Sequence, residues 1–379
     1  MEVRPWALLN RQEGRLVIKR LTVFALAAVG LAACGGGTTT TTTSNPPFKA
    51  AWIYVGSASD AGWTKAHDDA RLYVQQQLGS QLVTTFKENV PEGPQAAQVI
   101  DSLVADGNKI IFGTSFGFQD QMDAAAKKYP NVYFEQATGF KTETNLAEFF
   151  GAAEDADYLT GMAAGAVTKS GKIGFVAPFP IPEVIREINA FTLGAQATHP
   201  GATVQVIWTT TWFDPAKEKK AAESLISAGV DVLGQGQDSP ATGEAAKAAG
   251  LKWSGYDSDQ QSFAPDAWLT GTVYHWGPYE LTRIRAAMNG TWKTGSYYGS
   301  LADGFVDIAP FGKSVDAGSQ AAINAKKQAL VAGTFYEFTG PLNDQSGAVK
   351  VPAGSKLTLD QILTMNWFVQ GVIGSPTGS

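Results

Sequence analysis

The stretch AAWIYVGSASDAGWTKAHDDARLYVQQQL, residues 50–78, sets the pattern from which the fold of this chain is predicted. It begins with a short apolar run, Ala50 to Val55, that is typical of a strand buried on both faces. A loop rich in small residues follows, and Trp63 to Leu78 then has the spacing of an amphipathic helix. A buried strand, a loop and a covering helix make one unit of a parallel α/β sheet.

The same unit recurs along the chain in two arrays. The first array continues to Glu135, and a helix of small residues follows over Glu154 to Thr168. A second series of strand–helix units begins after this helix. Two successive arrays predict two similar lobes, each a parallel sheet flanked by helices, that face each other across a cleft. Later strand-like segments, Trp268 to Tyr274 and Leu301 to Val306, predict further crossings and a hinge of several strands.

The length of the chain, 379 residues, also favours two lobes over a single core. We expect the N-terminal lobe to comprise residues 48–168 plus about 270–306. The C-terminal lobe is expected over residues 169–269 plus about 307–379.

The first part of the chain carries an export signal. Basic residues precede an apolar run, Leu21 to Leu31, that is too short for a permanent membrane span. The run leads into Leu-Ala-Ala-Cys, which predicts a lipoprotein signal peptide over 1–33 and a lipid anchor on Cys34. An ordinary signal peptide followed by an incidental cysteine is the alternative. Residues 34–47, with six consecutive threonines, predict a flexible spacer.

Composition argues against several classes of function. A net charge of −6 disfavours nucleic-acid binding, which needs a basic surface. A single cysteine allows no disulfide within the chain, and the three histidines are too far apart in sequence to suggest a zinc site. We therefore expect no metal, no cofactor and no nucleic-acid partner.

The candidate ligand residues lie in loops that follow strands, because these loops face the crevice of a parallel α/β sheet. Trp63 and Trp212 occupy such loops in opposite lobes, and two facing indoles could hold a flat heterocycle by stacking. Asp60 and Asp257 are placed to accept hydrogen bonds from its N–H groups. Two alternatives remain open: Asp60 as a helix cap and Trp63 as a plug beneath its loop. The other expected ligand residues of these loops are Thr114, Phe116 and Gln237.

A rival interpretation is catalytic. Gly113 to Gly117 matches the G-x-S-x-G nucleophile elbow after a predicted strand, and Ser115 could combine with an acid and with His199 or His275. The doubled-lobe pattern is not that of a hydrolase, so we favour a binding protein that catalyses no reaction. The chain also lacks a P-loop and a dinucleotide fingerprint.

Six stretches form a combined signature: Leu31 to Cys34, Asp60 to Trp63, Ile111 to Phe118, Phe149 to Gly165, Trp212 to Lys217 and Gly255 to Gln260. With these stretches the chain resembles the basic membrane protein (Bmp) family of substrate-binding lipoproteins, the receptors of certain ABC importers. The resemblance implies a type I periplasmic-binding-protein fold that holds a purine between one aromatic ring from each lobe. By motif position these rings are Trp63 and Trp212, with Asp60 at the base edge and Asp257 further along the pocket.

One departure from the family pattern bears on the ligand. Nucleoside receptors of the family tend to carry a lysine that reaches the ribose, where this chain has Trp276 within Thr272 to Gly277. The resemblance then favours a free purine nucleobase, with a purine nucleoside or a sugar as alternatives. It also implies an ABC permease as partner, a monomeric receptor, and a location at the cell envelope, lipid-anchored and facing the periplasm or the exterior.

Overall fold

The structure is a computed structural model, and it describes residues 46–378. The predicted signal peptide, Cys34 and residues 34–45 of the predicted spacer lie outside the described residues. Among the helices of residues 46–378, none has the length and apolar character that a membrane crossing requires.

Strands and helices alternate along most of the described chain. The strands are β1 Phe48–Ile53, β2 Leu82–Lys87, β3 Ile110–Gly113, β4 Tyr133–Ala137, β5 Leu146–Gly151, β6 Lys172–Ala177, β7 Thr203–Trp208, β8 Val232–Gln235, β9 Lys252–Gly255, β10 Trp268–Tyr274, β11 Ser296–Gly299, β12 Val306–Ile308, β13 Leu342–Asn343, β14 Val349–Val351 and β15 Val372–Ile373. The helices are α1 Trp63–Leu78, α2 Pro94–Ala105, α3 Gln119–Lys128, α4 Ala153–Val167, α5 Pro182–Thr198, α6 Pro215–Ser227, α7 Ala241–Ala248, α8 Trp276–Met288, α9 Ala317–Val331 and α10 Leu359–Leu363.

The two predicted sheets are present, one in each lobe. Strand order is β11-β5-β4-β3-β1-β2 in the first sheet and β12-β10-β9-β8-β6-β7-β15 in the second. On β1, Ala50 and Trp52 pack into one core while Ala51 and Ile53 pack into another, which explains the unbroken apolar run. The two-lobed α/β architecture is therefore confirmed. The sheets are parallel except where β12 runs antiparallel to β10.

The chain crosses between the lobes at three places: between β5 and α4, between β10 and α8, and between β11 and β12. α4 packs against α5 and the second sheet, whereas α8 packs against α1 of the first lobe. We propose on this basis that the first lobe comprises 48–152 and 275–299. The first crossing thus comes before the expected boundary at residue 168, and the second comes just after residue 274 instead of near 270.

Two glycines explain why the helix of small residues belongs to the second lobe. A Cβ on Gly161 of α4 would lie 2.0 Å from the carbonyl oxygen of Phe191, and one on Gly194 of α5 would lie 1.9 Å from that of Tyr158. The backbones of α4 and α5 are close enough that no side chain fits between them at these points. The small residues of α4 therefore serve its packing on the second lobe.

The prediction of a strand over Leu301 to Val306 is wrong. Residues 300–305 form a turn between β11 and β12. The Asp303 carboxylate accepts hydrogen bonds from the amide and the hydroxyl of Ser300, at 3.1 and 2.8 Å, and Gly304 has a positive φ of 69°. These are turn-forming features that the apolar residues on either side conceal in the sequence.

Candidate functional site

A cavity lies between the two lobes, at the carboxyl ends of their strands. The space inside it, counted together with the solvent-filled opening, is about 400 Å³. The lining residues are Val55, Trp63, Ser115, Phe116, Thr138, Glu183, Trp212, Gly236, Asp238, Tyr256 and Asp257. Both predicted indoles, together with Phe116 and Asp257, are thus brought together in one cavity.

Trp63 is fixed in orientation by its surroundings in the first lobe. Its indole Nε1 donates a hydrogen bond of 2.6 Å to the carbonyl oxygen of Thr114. The rings of Tyr274 and Trp276 make T-shaped contacts with it, at interplanar angles of 84° and 74°. Trp63 is therefore a preorganised wall of the cavity, and the alternative of a plug without access to the cavity does not hold.

Trp212 lines the cavity from the second lobe, in the loop between β7 and α6. It is half-buried, and its ring packs against Phe179 at a centroid distance of 5.1 Å. Its carbonyl oxygen accepts a hydrogen bond of 3.3 Å from the amide of Asp238, which ties the Trp212 loop to the loop after β8. Asp214 caps α6 through the amide of Lys217, and so anchors the other end of the loop.

Acidic side chains dominate the polar part of the cavity. Asp257 is fully buried with a positive φ of 67°, and within the described residues no hydrogen bond reaches either of its carboxyl oxygens. Burial raises the pKa of the Asp257 carboxyl well above its ordinary value, and the charge of Asp238 adds to that rise. Burial also raises the pKa of Asp238 well above its ordinary value, and that of Glu183 to about 7.

Asp60 does not line the cavity, so the expectation that it contacts the ligand is not supported. Its Oδ1 accepts hydrogen bonds from the amides of Gly62 and Lys65, and its Oδ2 from the amide of Thr64, each at 2.9 Å. These donors lie at the start of α1, where backbone amides have no partner within the helix. Asp60 therefore acts as a cap of α1, the alternative to ligand contact.

Three further expected ligand residues lie behind the cavity lining. The Thr114 hydroxyl donates to the carbonyl oxygen of Ile53 at 2.9 Å, and the Gln237 amide donates to the Thr209 hydroxyl at 2.8 Å. Trp276 is fully buried and stacks between His67 and Tyr274, with both centroid distances 4.4 Å. It belongs to the aromatic core that supports Trp63.

Several lining residues are not among those predicted from the sequence. Asp238 and Tyr256 are immediate neighbours of the predicted residues Gln237 and Asp257, so the loops are as predicted, whereas Asp238 takes the place of Gln237. Glu183 follows the loop after β6, a strand end that the same rule would have included. Val55 and Thr138 also lie just beyond strands of the first sheet.

The lobes are closed on each other in this structure. The carbonyl oxygen of Ala61 in the first lobe accepts hydrogen bonds from the Ser258 hydroxyl at 2.6 Å and from the Gln260 amide at 3.0 Å. Next to it, a Cβ on Gly62 would lie 2.2 Å from the carbonyl oxygen of Asp238. We call this contact between residues 61–62 and residues 238, 258 and 260 the latch.

Ser115 lines the cavity, and its hydroxyl is engaged by a carboxylate. Its hydroxyl donates a hydrogen bond of 2.6 Å to the Glu92 carboxylate, which also accepts from the amide of Gly117. His199 follows the end of α5 and His275 precedes α8. Among the described residues no group of three or more acidic, cysteine or histidine side chains could hold a metal ion.

Comparison with known proteins agrees with this architecture. Residues 48–333 match the family model described as Bmp, ABC transporter substrate-binding protein PnrA-like. A purine-binding protein of Brucella abortus is 41% identical over 86% of this chain and 92% of its own length. A Haloferax volcanii protein, named as a candidate ABC transporter glucose-binding protein, is 36% identical over 86% of this chain and 80% of its own length.

A solved solute-binding protein of an ABC transporter system from Conexibacter woesei has the same two-lobed fold. It superposes with a TM-score of 0.65 at 20% identity, covering 76% of this chain and 98% of its own.

Proposed function

The chain belongs to the Bmp family of ABC transporter substrate-binding proteins, and we propose that in this role it captures a purine nucleobase between the indoles of Trp63 and Trp212. The observation that carries the proposal is the shared cavity: one indole from each lobe lines it, and the latch closes it. The resemblance to the purine-binding protein of Brucella abortus supports the ligand class.

Stacking on the two indoles supplies the affinity. A base stacked on one aromatic side chain gains about 1–3 kcal/mol, and this gain applies to any flat heterocycle. Closure of the lobes excludes water from the rings and strengthens the hydrogen bonds that Asp238, Asp257 and Thr138 can make. Selectivity among heterocycles then depends on these polar groups.

A panel measured by thermal shift and calorimetry tests the proposal. We expect adenine or another purine base to raise Tm and to bind more tightly than adenosine and glucose, since a ligand of the folded state stabilises it. Tighter binding of adenosine would support the nucleoside alternative. Tighter binding of glucose would support a sugar receptor, the alternative that the Haloferax relative's name suggests.

Trp212 is the better indole to mutate, because a change at Trp63 would also remove the hydrogen bond from its Nε1 to the Thr114 loop. Trp212→Ala should weaken purine binding by about fivefold to 150-fold, the equivalent of about 1–3 kcal/mol of stacking. Trp212→Phe retains an aromatic face and should recover most of the loss. Phe263→Ala removes an exposed ring outside the cavity and serves as the matched control. Unchanged affinity in Trp212→Ala would rule out the sandwich.

We further propose that Cys34 carries the lipid anchor and that the receptor works as a monomer at the outer face of a membrane, delivering its ligand to a permease. The supporting observation is the Leu-Ala-Ala-Cys sequence after an apolar run. Metabolic labelling with an alkyne fatty acid should mark the wild type and not Cys34→Ser. Equal labelling of both would contradict the anchor.

A further inference from the structure

The cavity contains three acidic side chains and no basic side chain to balance them. Glu183, Asp238 and Asp257 line it together, and no lysine, arginine or histidine is among its lining residues. Asp257 is fully buried and Asp238 is 4% exposed, so water does not screen their charges effectively. A neutral purine brings no positive charge that could balance three carboxylates.

The groups around the cavity add to this excess of negative charge. Those that act on the three carboxyls electrostatically are Asp60, Glu154, Glu187, Glu218 and Arg186. Arg186 is the only cation in this set, and its Nε is already paired with Glu154 at 3.1 Å. The Tyr256 hydroxyl is also committed, because it donates to Glu187 at 2.9 Å.

When carboxyl groups share a buried site, at least one of them keeps its proton, because two neighbouring buried carboxylates repel each other and ionising both costs free energy. A protonated carboxyl also gains a function, since it can donate a hydrogen bond where a carboxylate can only accept. Purines need both kinds of partner: their ring nitrogens accept hydrogen bonds, and their N–H and amino groups donate them.

We propose that closure on a purine takes up a proton from solvent, which one of Asp238, Asp257 and Glu183 then donates as a hydrogen bond to a ring nitrogen of the base. A second carboxyl of the three stays ionised and accepts from an N–H group of the same ligand. The inference rests on the proposed function. It assigns the selection of the base to a mixed set of protonated and ionised carboxyls.

The direction of the pH dependence follows from the two states. We take opening of the lobes to expose the three carboxyls to water, where a carboxyl is ionised at neutral pH. In the closed form burial raises the pKa of each, to about 7 for Glu183. The closed form thus binds more protons, so affinity is greatest at low pH. It falls as pH rises between the ordinary and the raised pKa, by about tenfold per pH unit for each proton taken up.

Calorimetry of adenine binding tests the inference directly. Titrations at one pH in two buffers of different ionisation enthalpy give the number of protons taken up, which we expect to be about one. Asp238→Asn keeps a hydrogen-bond donor but cannot titrate, so it should bind adenine with less proton uptake and a flatter pH profile between pH values of about 6 and 8. Asp266→Asn changes an exposed carboxyl that does not line the cavity and should behave as the wild type.

Each outcome has a distinct meaning. Adenine binding with no proton uptake and a constant Kd across this range would overturn the inference and leave the proposed function intact. Failure of every purine in the thermal-shift panel would instead refute the proposed function. If Asp238→Asn does not fold, the two-buffer measurement on the wild type still decides the matter, with Asp257→Asn as a second variant.

Discussion

The substitution Gly62→Ala should act against the closed form, in which the added methyl group meets the second lobe. Gly62 lies at the latch, where a Cβ would be 2.2 Å from the carbonyl oxygen of Asp238 and 2.5 Å from its Cα. Both contacts are with backbone, which cannot rotate away as a side chain would. The hydrogen bonds to the neighbouring carbonyl of Ala61, from Ser258 and Gln260, hold the lobes at this separation.

The size of the effect follows from these distances. Non-bonded atoms pack at about 3.5 Å, so a methyl group would have to widen the latch by about 1 Å. Overpacking of a tight contact costs about 1–3 kcal/mol. A penalty of this size on closure weakens ligand binding by about fivefold to 150-fold.

The assay compares Kd for adenine with the melting temperature of the free protein. Because the methyl group meets Asp238 when the lobes close, Kd should rise by this factor, and the ligand-free Tm measures separately any effect on the free protein. Gly295→Ala is the matched control, since a Cβ there meets nothing within 4 Å. A Kd within about twofold of the wild type would refute the reasoning, because it would show that the bound form does not use this contact.

Two further substitutions test the support of the site. Asp60→Ala removes the acceptor of three amides at the start of α1 and should lower the free energy of unfolding by about 1–3 kcal/mol. The order of preference among purines should stay the same, and a changed order would show that Asp60 contacts the ligand. Arg186→Met leaves the buried Glu154 without its cation and should lower the free energy of unfolding, measured in urea, by about 3–5 kcal/mol. A loss below about 1 kcal/mol would show that the ion pair does not stabilise the fold.

The parts of the site that were predictable from sequence depend on local position. Trp63 and Trp212 each lie just after a strand of a parallel sheet, and the rule that such loops face the crevice is enough to bring them together. The same rule found the loops that contain Asp238 and Asp257. It cannot say which side chain of a loop points inward, because that depends on a backbone turn such as the positive φ of Asp257.

The parts that were not predictable depend on contacts that the residue types of a loop do not reveal. Trp276 is buried in the core, where His67 and Tyr274 stack on it, although it follows a strand end as a ligand residue would. α4 joins the second lobe because Gly161 and Gly194 let two helix backbones meet, yet glycine in a helix is equally compatible with a hinge. Asp60 has the same neighbours in sequence whether it caps α1 or binds a ligand, so only the hydrogen bonds separate the two roles.

The acidic lining also restricts what the cavity can admit. A nucleotide would bring its phosphate into a closed space beside Asp238, Asp257 and Glu183, with no lysine or arginine in the lining to pair with it. Repulsion between a phosphate and the carboxyl that stays ionised grows as closure removes water, whereas a neutral base carries no charge for that carboxylate to repel. The feature that makes proton uptake necessary therefore also discriminates against phosphorylated purines, and it does so most strongly in the closed form, when the ligand is committed to transport.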